Sequence, residues 1–400
     1  MRILQLCHKP PCPPVDGGSK AMHNLTMGLL ALGHDVVVRC ITTPKHPLDP
    51  ADLDPEYVER TGVKGVFVDT SLNIIDAFTD LVTADNYNVS RFFSPDMDIE
   101  LIRTLSSERF DIVQLESLFM TPYVATIRRY SPAPVVLRSH NLEHVVQERI
   151  AHGERHPLKR PYRRFLARQL RDYEMSVLSR IDGVVAISDG DREHFRSQAP
   201  DLPMCTIPFG VDLKAYPEQA WPEGHPVFFH LGSMDWLPNE DGVRWLLDKV
   251  WAIAIAQRPD LRLELAGNRM PADLLERRSP GVRVQGRVPD ASAFMAGGQV
   301  MVVPLLSAGG MRVKIIEGMA LGKAVLSTTI GAEGIEADPG RHLEIADGAE
   351  QFADAMVRMH DDPERTSSIG RAGRTLVAER YDGLELAKEL VGFYSSLARS

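Results

Sequence analysis

Hydrophobic and polar positions follow a two-beat pattern along this chain. Short, mostly apolar runs of strand length alternate with longer stretches whose apolar positions recur at helical spacing. The runs Arg2–Cys7, Val36–Cys40, Gly65–Val68, Asp111–Leu115, Val135–Arg138 and Gly183–Ile187 form a first series. A second series begins after residue 220, with Val227–His230, Leu261–Ala266, Val282–Gln285, Gln299–Val303, Ala324–Ser327 and Leu343–Ile345. Strand-length apolar runs separated by helices predict βαβ units and a parallel sheet covered on both faces. Two series predict two doubly wound α/β domains in tandem. Between them the stretch from Pro203 to Gly224, with Pro208-Phe209-Gly210-Val211-Asp212, reads as a proline-rich connection and hinge. No fixed short period repeats, so a solenoid is not indicated. After Tyr381 a last helical pattern runs from Leu384 through Leu390, Phe393 and Leu397, and periodicity leaves open which domain it docks on.

Length agrees with two domains, since 400 residues exceed what one core usually supports. Hydrophobic content of 44% and charged content of 25% are ordinary for a globular protein and exclude the disordered and fibrous classes. No apolar run approaches the ~20 residues of a membrane span, and Ile3 to Cys7 is shorter than the ~7–15-residue core of a secretory signal. A cytoplasmic protein is expected. The four cysteines, Cys7, Cys12, Cys40 and Cys205, match neither a zinc knuckle nor a redox pair, and read as reduced, mostly buried thiols. A net charge of −9 argues against nucleic acid as a partner. One segment departs from that balance. Residues 149–171 carry eight Arg or Lys against one Glu, a pattern that fits the inner face of an anionic membrane or a solvated helix face paired with local acids.

Candidate chemistry collects where strands run into helices. After the first strand, "HKPPCPPVDGGSKAMHNL" places Gly17 and Gly18 before a helix, where backbone can approach an anion closely and free amides face it. A plain strand-to-helix turn is the competing reading. The stretch is neither a Walker loop nor Gly-x-Gly-x-x-Gly, so a dinucleotide site lacks its usual mark. "VVLRSHNLEH" delivers Arg138, Ser139, His140 and Asn141 to the carboxyl end of a strand, where open α/β sheets bind ligands. His140 fits a substrate hydroxyl or developing charge, or a structural role at a strand end. His144 lies four residues on, but no Glu follows His140 and no third ligand is evident, so no metal is expected.

In "SAGGMRVKIIEGMALGKAV", 307 to 325, a helix starting near Arg312 would point Val313, Ile316 and Ala320 at the sheet, with Glu317 on the same stripe. A carboxylate there needs a partner. Either Lys314 or Arg312 pairs with it, or it accepts bonds from a ligand diol while Gly309, Gly310, Met311, the amide of Val313, Arg312 and Lys314 hold a diphosphate at the helix mouth. "FFHLGSMDWLPNEDGVRWL" offers Gly232, Ser233 and Asn239 as a further polar-ligand loop, with Trp236 and Trp245 read as packing residues. "VQGRVPD" ends a strand with Gly286, Arg287 and Val288, where backbone could read a nucleobase edge.

With these residues in place the chain resembles glycosyltransferase family 4, of the GT-B fold, over nearly its whole length. The resemblance rests on the Gly17-Gly18 loop and its helix closing in Leu32-Gly33-His34-Asp35-Val36, on Ser139-His140-Asn141, "VVAISDGD" and "IPFGVD". In the second half it rests on "HLGSMDWLPN", "QGRVPD" and "KIIEGMALGKAVLST". It implies two Rossmann-like domains facing a central cleft: an acceptor-side domain at 1–205, a nucleotide-sugar domain at 206–382, and a helix at 383–400 crossing back to the first. It implies retaining transfer of a sugar from a UDP- or GDP-sugar to a sugar, lipid-linked or other hydroxyl acceptor, with no metal or other cofactor, in polysaccharide, glycolipid or glycoconjugate synthesis. Acceptor contacts would come from N-domain loops such as 70–95.

By the same resemblance His140 would bind the donor sugar near the reacting carbon, Glu317 the ribose hydroxyls and Gly18 the diphosphate or sugar. Gly286 to Val288 would border the base. Where many members carry a first glutamate, Gly309 stands here, so the backbone of Gly309 to Met311 would hold the sugar hydroxyls. His140, Glu317, Gly309 and Gly310 are thus the expected catalytic residues. Ser233 follows Gly232 where many members have Arg, and no Lys appears before Lys249. Arg312 and Lys314 are the candidates for the missing charge. A GT-B nucleotide-sugar epimerase and a non-catalytic nucleotide-sugar-binding protein are the alternatives.

Overall fold

The computed structural model describes residues 1–69, 87–153, 156, 159–221, 224–307 and 309–398. The chain forms two compact units, one of Met1–Gly210 with Gly383–Ser400, the other of Val211–Asp382.

The first unit is built on seven strands: β1 (Arg2–Cys7), β2 (Asp35–Thr42), β3 (Lys64–Phe67), β4 (Ile112–Glu116), β5 (Val135–Ser139), β6 (Gly183–Ala186) and β7 (Met204–Thr206). They run parallel in the order β3-β2-β1-β4-β5-β6-β7. Alternation along each strand sends Leu4, Leu6, Val113, Leu115, Val135 and Leu137 into one core and Ile3, Val36, Val38, Ile112 and Val136 into the other. The second core is closed by the helices Gly17–Ala31 and Gly383–Leu397, through Leu25, Leu29, Leu386, Leu390 and Tyr394. Gly210 meets the returning chain backbone to backbone: a Cβ there would lie 2.7 Å from Gly383 Cα.

The second unit holds β8 (Phe228–Leu231), β9 (Leu263–Ala266), β10 (Val282–Gly286), β11 (Val300–Val303), β12 (Ala324–Ser327) and β13 (Glu344–Ile345). They too are parallel, in the order β10-β9-β8-β11-β12-β13, over a core of Phe228, Leu263, Leu265, Val300, Val302 and Leu326. Both sheets reverse their winding at a single point, between β1 and β4 in one and between β8 and β11 in the other. In open sheets of this kind ligands gather at the carboxyl ends beside that reversal.

The two Rossmann-like sheets are those expected from the apolar runs, with ends shifted by one or two residues. Two local readings change. Met204–Thr206, placed in the connection, is an edge strand paired with β6, because a three-residue run among prolines carries no periodic signal of its own. The helix Val313–Ala320 is not a stripe against one sheet: Val313 and every residue from Ile315 to Ala320 are buried. It is enclosed because it packs against the helix Pro363–Arg380 as well as on β11 and β12.

Candidate active site

At the winding reversal of the first sheet, β1 ends in His8 and Lys9, β4 in Glu116 and β5 in Arg138 to His140. Glu116 is wholly buried and its carboxylate is saturated. Oε1 accepts from Gln5 Nε2 at 2.7 Å and from Gln114 Nε2, and Oε2 from Arg138 Nη1 at 3.2 Å and His140 Nε2 at 2.6 Å. Burial alone would raise this carboxyl, but the Arg138 guanidinium and the bonds from His140 and Gln5 outweigh it and hold it at about 2.

Burial dominates at His140 and lowers its pKa, so the ring is neutral at pH 7. A neutral imidazole facing a carboxylate through Nε2 must carry its hydrogen there, which leaves the Nδ1 lone pair as an acceptor. The ring is set edge-on between His8, at 5.8 Å, and Phe209, at 5.7 Å. His8 Nδ1 bonds the Glu116 carbonyl at 2.8 Å, and burial lowers its pKa to about 3, so a second neutral imidazole lines the same corner.

Gly17 and Gly18 open the helix Gly17–Ala31, where Asp16 accepts from the Ser19 amide at 2.9 Å. Lys9 Nζ reaches Asp16 at 2.6 Å, and a Cβ on Gly18 would come within 2.8 Å of that ammonium. Glycine at this position leaves the lysine room to lie over the helix mouth, and a larger residue would make its ammonium move. His144 is occupied elsewhere. Its Nδ1 bonds Glu174 at 2.6 Å, so His140 and His144 serve different carboxylates and do not converge on one ion. Residues 70–86 of the expected acceptor loop lie outside the described residues.

In the second unit the corresponding edge brings together Gly232, Ser233, Asn239, Gly286 and Lys314. Gly232 N bonds Ala266 O at 3.1 Å and Gly267 N bonds Gly286 O at 2.8 Å, so the ends of β8, β9 and β10 lie side by side. Gly286 adopts φ +69°, at a bulge that ends β10, with Arg287 exposed and Val288 half-buried beyond it.

Across the reversal, Lys314 Nζ donates to Asn239 Oδ1 at 3.0 Å and points to Leu231 O at 3.5 Å. Desolvation of this half-buried lysine, aided by the charge of Arg312, brings its pKa down to about 7. Asn239 in turn donates to Ser233 O at 2.9 Å, fixing the loop after β8. Glu317, one turn along the same face of the helix, accepts from the Tyr216 hydroxyl at 2.7 Å, and burial beside that carboxylate raises the phenol's pKa.

Arg312 caps Gly309 O through Nη2 at 2.5 Å and lies 5.4 Å from the Trp236 ring centroid. Gly310, at φ +73°, lets the loop turn into the helix, with Met311 buried behind it. Lys314 thus bonds Asn239, and Glu317 bonds Tyr216. Trp236, read as a packing residue, is 37% exposed and stacked by Arg312, whereas Trp245 does pack, edge-on to Phe352 at 5.4 Å.

Among the described residues one other cluster has metal-ligand chemistry: His225, Asp260 and His360. It sits at the amino end of β8 and β9, opposite the sheet edge just described. Its imidazoles stack at 4.1 Å and 17°, so their lone pairs lie in two nearly parallel planes, and His225 Nδ1 bonds His360 O while His360 Nε2 bonds Asp260.

The glycosyltransferase family 4 model matches residues 15–215, about half of the chain. The chain belongs to glycosyltransferase family 4. A second model, for glycosyl transferases group 1, matches residues 225–362, so family signal covers both units of this glycosyltransferase. Among curated proteins it is 25% identical, over 93% of its own chain and 94% of the other, to an uncharacterized 44.6 kDa protein in the cps region of Klebsiella pneumoniae. Among solved structures it resembles sucrose-phosphate synthase from Thermosynechococcus elongatus, with a TM-score of 0.71, 18% identity and full coverage of both chains. It also resembles Anabaena HepE in complex with UDP, with a TM-score of 0.69 and 15% identity over 99% of this chain and 100% of that one. The fold of the glycosyltransferase is GT-B.

Sequence reasoning missed Glu116, Gln114, Lys9, Tyr216 and Tyr394. Glu116 left a signal, a carboxylate closing the strand Ile112–Glu116 in which every residue is buried. Tyr216 left none, because its role depends on a partner 101 residues away.

Proposed function

We propose that this glycosyltransferase moves a sugar with retention from a UDP- or GDP-sugar to a hydroxyl acceptor, without a metal, and that its products are cell-surface polysaccharides or related glycoconjugates. The observation that carries the proposal is Lys314, an ammonium aimed at the carboxyl edge of the second sheet and held there by an amide and a carbonyl. A diphosphate docking at the mouth of the helix Val313–Ala320 would meet that charge, the helix dipole and the amides of Gly309 to Val313 together. Arg312 would add a second cation, and Glu317 would accept the ribose hydroxyls one turn on. Gly232, Ser233 and Gly286 to Val288 would line the nucleotide. HepE, solved with UDP and with UDP-glucose, supports a nucleotide-sugar donor, and the relative from a cps region supports polysaccharide synthesis.

In this reading the bond from the anomeric carbon to the diphosphate oxygen breaks as negative charge grows on the diphosphate, and protein cations meet that charge. The acceptor oxygen bonds the same face of the carbon, and its proton passes to the departing phosphate oxygen. His140, neutral and presenting Nδ1, would accept a hydrogen bond from a sugar hydroxyl, while Gly18 and Lys9 border the same corner. Thermal shifts over a panel of nucleoside diphosphates and their sugars test the donor, since a ligand selective for the folded state stabilises it. Stabilisation by no nucleotide sugar would end the proposal.

A peripheral place on the cytoplasmic face of an anionic membrane belongs to the same proposal. Among the described residues no helix is long and apolar enough to cross a membrane. The helix Lys159–Val177 exposes Arg160, Arg164, Arg168 and Arg171, with Tyr162 and Phe165 exposed beside them, which suits an acidic lipid surface. Residues 154, 155, 157 and 158 of the basic segment lie outside the described residues.

A further inference from the structure

Glu116 is the junction of a buried hydrogen-bonded chain that reaches the last helix of the protein. The Tyr394 hydroxyl, on the helix Gly383–Leu397, donates to Gln114 Oε1. The amide of Gln114 donates through Nε2 to Glu116 Oε1, and Glu116 Oε2 takes the hydrogen of His140 Nε2. Tyr394, Gln114 and Glu116 are each without exposed surface. A second arm enters from the helix Gly17–Ala31, where Thr26 Oγ1 donates to Gln5 Oε1 at 2.6 Å and Gln5 Nε2 donates to Glu116.

The direction of these bonds gives Tyr394 a task that packing alone does not require. A glutamine amide has one accepting and one donating end and can turn over. A phenol hydroxyl has one hydrogen, and its other possible partner here is the amide itself. With the hydroxyl donating to Oε1, Nε2 is forced toward Glu116. Without it, Oε1 is a buried acceptor with no hydrogen to accept, so Gln114 recovers a partner only by tilting away from its present place, at the expense of its Nε2 bond to Glu116. Glu116 would then lose one of the four bonds that hold it ionised and fixed, and the loss would pass to His140.

We infer that Tyr394 is a positioning residue for the reaction, setting the tautomer and orientation of His140 through Gln114 and Glu116. The inference rests on the proposed role of His140 toward the donor sugar. The charged and titratable groups facing this corner are Glu116 and Arg138 from the strands β4 and β5, His8 and Lys9 from the end of β1, and Cys7 beside Glu116. A displaced Gln114 withdraws a donor from Glu116, which favours protonation of the Glu116–His140 pair, so the acid limb of activity moves to higher pH.

The test is Tyr394→Phe, which keeps the ring and removes one hydroxyl, alongside Gln114→Met and the double variant. The expected result is a kcat about tenfold lower or more, of the size seen when outer partners of a working histidine are lost, with donor affinity little changed. The acid limb of the kcat profile should shift upward, and the double variant should fall no further than the worse single one. Selective ¹⁵N labelling of histidine gives a readout apart from turnover: the Nε2–H signature of His140 in the parent should weaken in Tyr394→Phe. A wild-type pH profile together with an unchanged His140 tautomer would overturn the inference, as would strictly additive losses. Full turnover in His140→Ala would instead refute the role of His140, while the ¹⁵N spectrum would still decide whether Tyr394 sets its tautomer.

Discussion

Lys314 Nζ lies 3.0 Å from Asn239 Oδ1, joining the helix after β11 to the first turn of the helix Leu237–Trp245 after β8, across the point where the second sheet reverses its winding. Family members that carry Arg and Lys soon after the first strand of this domain would place cations at that edge. Here Ser233 stands in the loop and Asn239 at the start of the helix after it, and a lysine from another helix reaches over to Asn239.

Lys314→Met should weaken binding of a nucleotide sugar by about tenfold to a hundredfold, the range for a hydrogen-bonded charge. Titration calorimetry measures it, and unchanged affinity would remove Lys314 from the donor site.

The pH dependence of that binding has a definite sign. Lys314 is pushed down to about 7 in the free protein, and a bound diphosphate favours its charged form, so binding above pH 7 takes up a proton. Donor affinity should therefore fall as pH rises from 7 to 9, by up to about tenfold per unit, and level off at lower pH. The diphosphate of a nucleotide sugar does not titrate in that window. Lys314→Met should bind with a flat profile.

Glu317→Gln tests the ribose contact. If the carboxylate accepts the ribose hydroxyls, the substitution should cost about tenfold in affinity for a nucleoside diphosphate and much less for its 2′-deoxy form. Equal losses for the two nucleotides would place Glu317 outside the ribose site and leave it as the partner of Tyr216.

How legible all this was in the sequence depends on the range of the interaction. β1 and β12 were readable to the residue, because strands covered on both faces are apolar at most positions, with Arg2, Gln5 and Ser327 the exceptions in these two. Glycines at 18, 232 and 286 were readable as sites of close approach for a similar reason, that a missing side chain is itself a local signal. The partners of buried charges were not. Lys314 with Asn239, Glu317 with Tyr216 and Tyr394 with Gln114 are separated by 75, 101 and 280 residues, and nothing in the flanking pattern of either member names the other. The edge strand β7 and the exposure of Trp236 escaped notice likewise, since both are decided by neighbours distant in the chain.

Glu116 also sets acid stability. Its carboxyl is held at about 2 against an ordinary 4.5, so its stabilising share is present above about pH 4.5 and is lost as pH falls toward 2. Glu116→Gln should remove that share and leave Arg138 buried without its counter-charge, costing roughly 3 kcal/mol at neutral pH. Chemical denaturation at pH 7 and pH 4 would show the difference from wild type shrinking at the lower value.

Gly267 offers a check on the second sheet edge that involves no chemistry. A Cβ there would stand 1.7 Å from Gly232 O, so Gly267→Ala must push the loop after β8 away from β9. A loss of about 2–3 kcal/mol is expected from such overpacking, with donor affinity falling alongside it.

The central claim is that cations of the protein, with no divalent ion, hold the donor's diphosphate at the mouth of the helix Val313–Ala320. Calorimetric titration of the nucleotide sugar in the presence of EDTA, for wild type and for Arg312→Ala with Lys314→Met, tests it most directly. The account predicts wild-type affinity unaffected by the chelator and a double variant that scarcely binds. Binding lost on chelation, or a double variant that binds like wild type, would contradict it.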